Sequence, residues 1–149
     1  MNIKTILVPT DFSENADRAL ATAIQFARAF EAQIQLLHIY DIPDTSTVYE
    51  VTFPAGVVEG IRKAARLKLE ALKEQATAEG IELSTELVFG SASQRIVEYA
   101  EESKADLIVM GTRGHGRLTH FFLGSVAERT LRTAPCPVLT VGADTTDDA

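Results

Sequence analysis

The spacing of hydrophobic positions along the chain predicts alternating strands and helices. Short, mostly apolar runs rich in β-branched residues predict strands at 3–8, 33–40, 81–89, 107–110 and 137–141. Between these runs apolar residues recur every three to four positions, which predicts helices at about 14–30, 56–79, 91–103 and 126–133. Ser13 is the expected N-cap of the first helix, and Gly80 is the expected residue just past the end of the second.

This order of elements predicts an α/β fold with a parallel sheet and helices on both faces, joined by right-handed crossovers. The first and fourth strands both end in unusual loops. If these strands are neighbours where the strand order reverses, the sheet order is 3-2-1-4-5, and a ligand would lie beyond their carboxyl ends. The third strand alternates apolar and polar residues, as expected at a sheet margin. We expect one domain over residues 1–142 and an acidic, disordered tail over 143–149.

A glycine-rich loop joins the fourth strand to the last helix, with the spacing Gly-x2-Gly-x9-Gly-Ser from Gly111 to Ser125. Gly114 and Gly116 permit positive φ and close contact with phosphate oxygens, and a helix N-terminus adds backbone amides. The loop is neither a Walker A motif nor the dinucleotide fingerprint. Our main hypothesis is that it binds the phosphates of a nucleotide. The alternative is that Gly124 and Ser125 merely begin a helix.

Charge and composition narrow the possible functions. The net charge of −7 argues against general nucleic-acid affinity, yet residues 111–134 contain four arginines and one glutamate. This local excess indicates an anion site, unless the arginines are simply solvated on a helix face. The chain has no signal-peptide pattern and no apolar run near the roughly 20 residues of a membrane span, so we expect a cytoplasmic protein. The lone Cys136 excludes an internal disulfide framework and predicts a buried structural thiol.

Several polar residues have two interpretations. Asp11 follows the first strand, where an aspartate with no ligand to bind would cap a helix or turn. His38 lies in an apolar strand and is expected to be a hydrogen-bonded core or sheet-face histidine. His115 and His120 lie in the glycine-rich loop, where His115 could contact phosphate and His120 is more simply solvated.

The chain resembles the universal stress protein family. The resemblance is carried by the spacing of the glycine-rich loop and by four segments: KTILVPTDFS at 4–13, DLIVMGTRG at 106–114, LGSVAE at 123–128 and PCPVLTV at 135–141. It covers nearly the whole chain except residues 41–55 and the acidic tail. It implies a Rossmann-like, adenine nucleotide α-hydrolase-like domain with sheet order 3-2-1-4-5. It also implies a homodimer that binds ATP. AMP and ADP would fit the same cradle, and Mg²⁺ could bridge phosphates through waters.

By position, the resemblance implies a set of nucleotide-binding residues. Asp11 would approach the ribose or adenine, with Pro9 and Thr10 shaping the wall, and the Ile39 backbone would contact adenine. The remaining implied residues flank the sugar, hold the phosphates or add positive charge: Met110, Gly111, Arg113, Gly114, His115, Gly124, Ser125 and Val126.

Three functions fit these residues. The first is a stress or regulatory module in which nucleotide occupancy changes the dimer or its affinity for a regulated protein partner. The second is a slow ATPase or nucleotidyl-transfer enzyme, with weak turnover at most because the sequence shows a glycine cradle and arginines but no carboxylate cluster or base. The third is a structural dimer that binds no ligand. Dimerisation is expected through the apolar edge at Val138–Val141.

Overall fold

The structure is a computed structural model that describes residues 1–41, 54–113 and 123–142. Residues 42–53, the middle of the glycine-rich loop and the acidic tail therefore lie outside the described residues. Strands and helices alternate as predicted, with bounds within two residues of those expected: β1 (Thr5–Pro9), α1 (Glu14–Phe30), β2 (Gln33–Tyr40), α2 (Ala55–Ala78), β3 (Leu83–Phe89), α3 (Ala92–Glu102), β4 (Leu107–Gly111), α4 (Ser125–Thr133) and β5 (Val138–Val141).

The sheet has the order β3-β2-β1-β4-β5, and its neighbouring strands are parallel, which confirms the predicted topology. β1 is the middle strand, and its five residues are buried. It pairs with β2 on one side and β4 on the other, so that Ile6 lies beside both Ile34 and Leu107. The strand order therefore reverses between β1 and β4.

Helices cover both faces of the sheet, and each face has its own apolar core. On one face α1 and α2 bury residues such as Leu36 and Leu69, and on the other face α3 and α4 bury residues such as Leu37 and Ile96. Burying one such side chain contributes about 1.5–3 kcal/mol. In the described part of the chain, no helix has both the length and the apolar character needed to cross a membrane.

The predicted helix ends are confirmed at two positions. Ser13 caps α1, because its Oγ accepts a hydrogen bond from the Ala16 amide at 3.2 Å. Gly80 follows the end of α2 with φ of 78°, a conformation that glycine adopts without steric cost.

Three residues of the predicted apolar faces are exposed, and Cys136, which was predicted to be buried, is not fully buried. The exposed fractions of Phe30, Ile61 and Phe89 are 39%, 40% and 53%, and Cys136 is half-buried. Phe30 and Phe89 are the last residues of their elements, and Ile61 lies in the first third of α2. Spacing predicts the face on which a residue lies, but it does not predict how far the opposing layer extends.

Candidate functional site

A cavity of about 300 Å³ lies at the carboxyl ends of β1 and β4, where the strand order reverses. We call this cavity the crevice. Its walls come from both strand ends, from β2 and from the starts of three helices: Pro9, Thr10, Asp11, Ala16, Ile39, Ala92, Ile96, Met110, Gly111, Thr112, Arg113, Gly124, Ser125, Val126 and Ala127.

The crevice brings together ten of the residues predicted to bind a nucleotide: Pro9, Thr10, Asp11, Ile39, Met110, Gly111, Arg113, Gly124, Ser125 and Val126. Gly114, His115 and Gly116 were also predicted, and they lie outside the described residues. The role of each residue toward a ligand stays a prediction.

Residues 10–13, which we call the β1 loop, are held by local hydrogen bonds. The Thr10 amide donates to the Leu37 carbonyl at 2.8 Å, and the Phe12 amide donates to Thr10 Oγ1 at 3.0 Å. Asp11 Oδ1 accepts the Ser13 amide at 2.9 Å, so the turn-capping interpretation of Asp11 is correct. Asp11 also lines the crevice, and a carboxylate can accept several hydrogen bonds at once, so capping leaves the second interpretation open.

The β4 loop, residues 111–124, begins at the last residue of β4 and depends on close backbone approach at both described ends. A Cβ added to Gly111 would lie 3.0 Å from Asn15 Cβ and 3.1 Å from the Asn15 carbonyl carbon. A Cβ added to Gly124 would lie 3.1 Å from the Thr112 carbonyl oxygen, which accepts the Gly124 amide at 2.6 Å. Gly111 therefore packs β4 against α1, a reason that the sequence interpretation, based on ligand approach, did not include.

Three helices begin at the crevice, since Ala16 of α1, Ala92 of α3 and Ser125 of α4 all line it. The starts of α3 and α4 have no side-chain cap, whereas Ser13 caps α1. Uncapped first-turn amides and the positive end of the helix dipole attract anions. Together with Arg113, these helix ends make the crevice suitable for a negatively charged ligand.

The walls of the crevice also have an apolar part. Ile39, Ile96 and Met110 supply hydrophobic surface, whereas Thr10 and Asp11 supply oxygen atoms. A cavity with apolar walls and a few polar groups is typical of sites for small molecules and cofactors. The described residues thus suit a ligand that combines an aromatic ring, hydroxyl groups and an anion.

Five lining residues were not predicted as site residues: Ala16, Ala92, Ile96, Thr112 and Ala127. The helical spacing correctly marks Ile96 as buried, at 1% exposure, but a side chain that faces a core and one that faces a cavity have the same spacing. Thr112 lies between Gly111 and Arg113, which were both predicted as site residues, so its place in the loop could have predicted that it lines the crevice.

The pKa shifts in the described part of the chain lie outside the crevice lining. Burial raises the pKa of Tyr99 and of the Cys136 thiol, and hydrogen bonds from Gln94 and Arg95 lower the pKa of Glu98. Within the described ranges no three His, Cys, Asp or Glu side chains cluster closely enough to hold a metal ion. These shifted groups therefore do not identify an acid–base site in the crevice.

A parallel sheet with a ligand-sized crevice at its switch point defines a Rossmann-like α/β protein. The model of the universal stress protein family matches residues 2–142 of the chain. The chain belongs to that family.

Individual relatives agree with this assignment. Universal stress protein MJ0531 of Methanocaldococcus jannaschii is 37% identical over 139 residues, which cover 93% of this chain and 81% of the relative. The structure of hypothetical protein MJ0577 matches with a TM-score of 0.85 and 32% identity, over 98% of this chain and 100% of that one.

Two similar structures contain adenine nucleotides. A universal stress protein in complex with cAMP is 27% identical, with a TM-score of 0.72 over 95% of this chain and 98% of that one. The universal stress protein from Archaeoglobus fulgidus in complex with dAMP is 25% identical, with a TM-score of 0.67 over 95% of this chain and 99% of that one.

Proposed function

We propose that the crevice binds an adenine nucleotide and that nucleotide occupancy makes the protein a regulatory module in a stress response. The observation that carries this proposal is the meeting of three helix N-termini with Asp11 and Arg113 around one cavity. The complexes of related proteins with cAMP and dAMP support the choice of adenine nucleotides.

In the proposed arrangement the adenine packs between Ile39, Ile96 and Met110, which are the large apolar residues of the walls. Asp11 accepts protons from ribose hydroxyls, because an ionised carboxylate is an acceptor only. The phosphates lie at the uncapped start of α4, where Gly124 allows close approach and the first-turn amides of α4 donate.

The nucleotide is proposed to be ATP, with ADP and AMP able to fit the same cradle. Any Mg²⁺ would be held mainly by phosphate oxygens and water, because the described residues form no cluster of three acidic or imidazole ligands. We therefore expect Mg²⁺ to bind in the presence of a nucleotide triphosphate and not to the protein alone.

The first experiment is isothermal titration with ATP, preceded by mass spectrometry of any small molecule that co-purifies. Gly124→Leu is expected to weaken ATP binding more than tenfold, because its side chain would meet the Thr112 carbonyl oxygen at the phosphate cradle. Gly60→Leu is the matched control, since Gly60 lies in α2 with no atom within 4 Å of an added Cβ. Unchanged ATP affinity in a folded Gly124→Leu variant would exclude this phosphate site.

We further propose that two copies associate through β5, the edge strand next to β4. On the side of β5 that faces β4, the Pro137 carbonyl accepts the Ile108 amide and the Val141 carbonyl accepts the Thr112 amide, at 3.0 Å each. Main-chain groups alternate sides along a strand, so the Thr140 amide points away from β4 toward the free edge. A second copy would satisfy such edge groups by antiparallel pairing.

Proline substitutions test the proposed dimer. Thr140→Pro removes an outward amide and is expected to give a monomer in sedimentation at micromolar concentration. Leu139→Pro is the control, because it removes an amide that faces β4 and should lower the free energy of unfolding instead. A dimer that persists in Thr140→Pro would contradict pairing through this edge.

The remaining proposals concern cellular context. We propose a cytoplasmic protein whose nucleotide-bound form is recognised by a regulated protein partner. The nucleotide-binding domain is proposed to span residues 1–142. Comparing partner capture by ATP-loaded wild type and by Gly124→Leu would test whether occupancy is the signal.

A further inference from the structure

Phe12 has an unusual backbone conformation directly beside Asp11. Its φ is 63°, in the left-handed region that bulky residues rarely adopt. A residue stays in such a conformation when its surroundings hold it there, and such residues cluster at functional sites. The conformation of Phe12 therefore indicates that neighbouring residues hold the β1 loop in shape.

The Phe12 side chain is held on the α1 and α2 face of the sheet, where it packs against the apolar core. Its ring centroid lies 4.4 Å from that of His38, and Lys68 Nζ lies 5.1 Å from the same Phe12 centroid. Side chains alternate along β2, so His38 and its neighbour Ile39 point to opposite faces. Ile39 lines the crevice, whereas His38 supports the β1 loop from the other face.

His38 also binds the main chain of the β1 loop. Its Nδ1 lies 2.8 Å from the Thr10 carbonyl oxygen. A carbonyl oxygen can only accept, so Nδ1 must carry the proton. Since the Thr10 amide donates to Leu37, both main-chain polar groups of Thr10 are bonded to β2.

We propose that His38 is a positioning residue for the nucleotide site. Its Nδ1–H holds Thr10 and its ring holds Phe12, so that Asp11, which lies between these two residues, stays at the crevice. This inference rests on the proposed nucleotide binding, but the hydrogen bond and the ring contact can be measured without any nucleotide.

The first test is ¹⁵N NMR of the His38 ring in the ligand-free protein at pH 8. We expect the tautomer protonated at Nδ1, and a ring protonated only at Nε2 would overturn the proposal. Hydrogen exchange at the Phe12 and Ser13 amides gives a second measurement. Exchange at both is expected to be faster in His38→Phe, and unchanged exchange would also overturn it.

The second test separates the hydrogen bond from the ring. His38→Phe keeps an aromatic ring and loses the donor, whereas His38→Asn keeps a donor near the Nδ1 position and loses the ring. We expect His38→Phe to weaken ATP binding roughly three- to tenfold, the range for one hydrogen bond, and His38→Asn to restore part of that loss.

A double variant tests whether His38 acts through Asp11. In an Asp11→Ala background, His38→Phe is expected to cause little further loss of ATP affinity. Equal losses in both backgrounds would show that His38 does not act through Asp11. Phe26→Leu is the control for general core damage, because Phe26 packs on the same core but lies about three turns along α1 from the β1 loop, roughly 18 Å at the usual helix rise. It should lower stability and leave ATP affinity unchanged.

Failure of this inference can be distinguished from failure of the proposed function. If wild-type protein binds no ATP while His38 carries its proton on Nδ1, the nucleotide proposal fails and the structural role of His38 stands. If ATP binds but His38→Phe changes neither amide exchange nor affinity, the nucleotide proposal stands and the role of His38 is excluded.

Discussion

The β1 loop and the β4 loop border the same crevice, but different interactions hold them in shape. In the β1 loop, side-chain oxygens of Thr10, Asp11 and Ser13 accept hydrogen bonds from backbone amides two or three residues further along the chain. In the described ends of the β4 loop, glycines let backbone segments approach each other, at Gly111 against Asn15 and at Gly124 against Thr112.

The two constructions respond differently to substitution. Removing the Thr10 or Ser13 hydroxyl is expected to remove one backbone hydrogen bond and to leave the rest of the β1 loop in place. Adding a methyl group to a close-approach glycine forces two backbone segments apart, and packed interiors accommodate such shifts poorly. Adding one methyl group to a glycine of the β4 loop is therefore expected to lower the free energy of unfolding more than removing a hydroxyl from the β1 loop.

Gly111→Ala is expected to have the largest effect on stability. Its Cβ would lie 3.0–3.2 Å from three atoms of Asn15, two of them in the main chain of α1. We expect a loss of about 1–3 kcal/mol in the free energy of unfolding, as for other overpacked sites, measured by chemical denaturation.

The control for this substitution is Gly60→Ala in α2, where an added Cβ meets nothing within 4 Å. Because alanine favours helix more than glycine does, this variant should gain about 0.5–1 kcal/mol. If Gly111→Ala were as stable as wild type, close packing of β4 on α1 would not be what requires glycine there.

Ser13→Ala is expected to have an intermediate effect. It removes the hydroxyl that accepts the Ala16 amide at the start of α1. Loss of such a cap costs about 1 kcal/mol, which denaturant titration can resolve, and Ser13→Thr should retain most of the stability. A loss larger than that of Gly111→Ala would reverse the proposed difference between the loops.

The sequence predicted the elements and their arrangement because each depends on local patterns. The change from the spacing of strands to the spacing of helices predicted each element. The unusual loops after β1 and β4 predicted that these two strands are neighbours, as they are. Ser13 and Gly80 were correctly predicted as helix-end residues, because capping depends on residue type at a fixed position. The resemblance to a known family directed attention to the residues that surround the crevice.

What the sequence did not predict depends on contacts between distant segments. Nothing in the sequence around Asn15 predicts that Gly111 packs against it. Nothing around His38 predicts that its ring binds the Thr10 carbonyl. The exposure of Phe89 depends on how far the neighbouring layer reaches, which spacing does not encode. The positive φ of Phe12 was equally hidden, because nothing in its residue type favours that conformation.

The smallest expected effect is that of Glu14→Gln at the first residue of α1. Glu14 Oε1 lies 2.8 Å from Arg18 Nη2, but the Glu14 side chain is 80% exposed. Exposed pairs at this spacing contribute about 0.3–0.5 kcal/mol, and salt screens them, so the loss should disappear in 1 M NaCl. Glu14→Gln could instead lower the free energy of unfolding as much as Ser13→Ala does, with or without 1 M NaCl. That result would mean that Glu14, and not the hydroxyl cap, fixes the start of α1. The first turn of α1, which follows the β1 loop directly, would then depend on charge, and the hydroxyl cap of Ser13 would no longer represent how this side of the crevice is held.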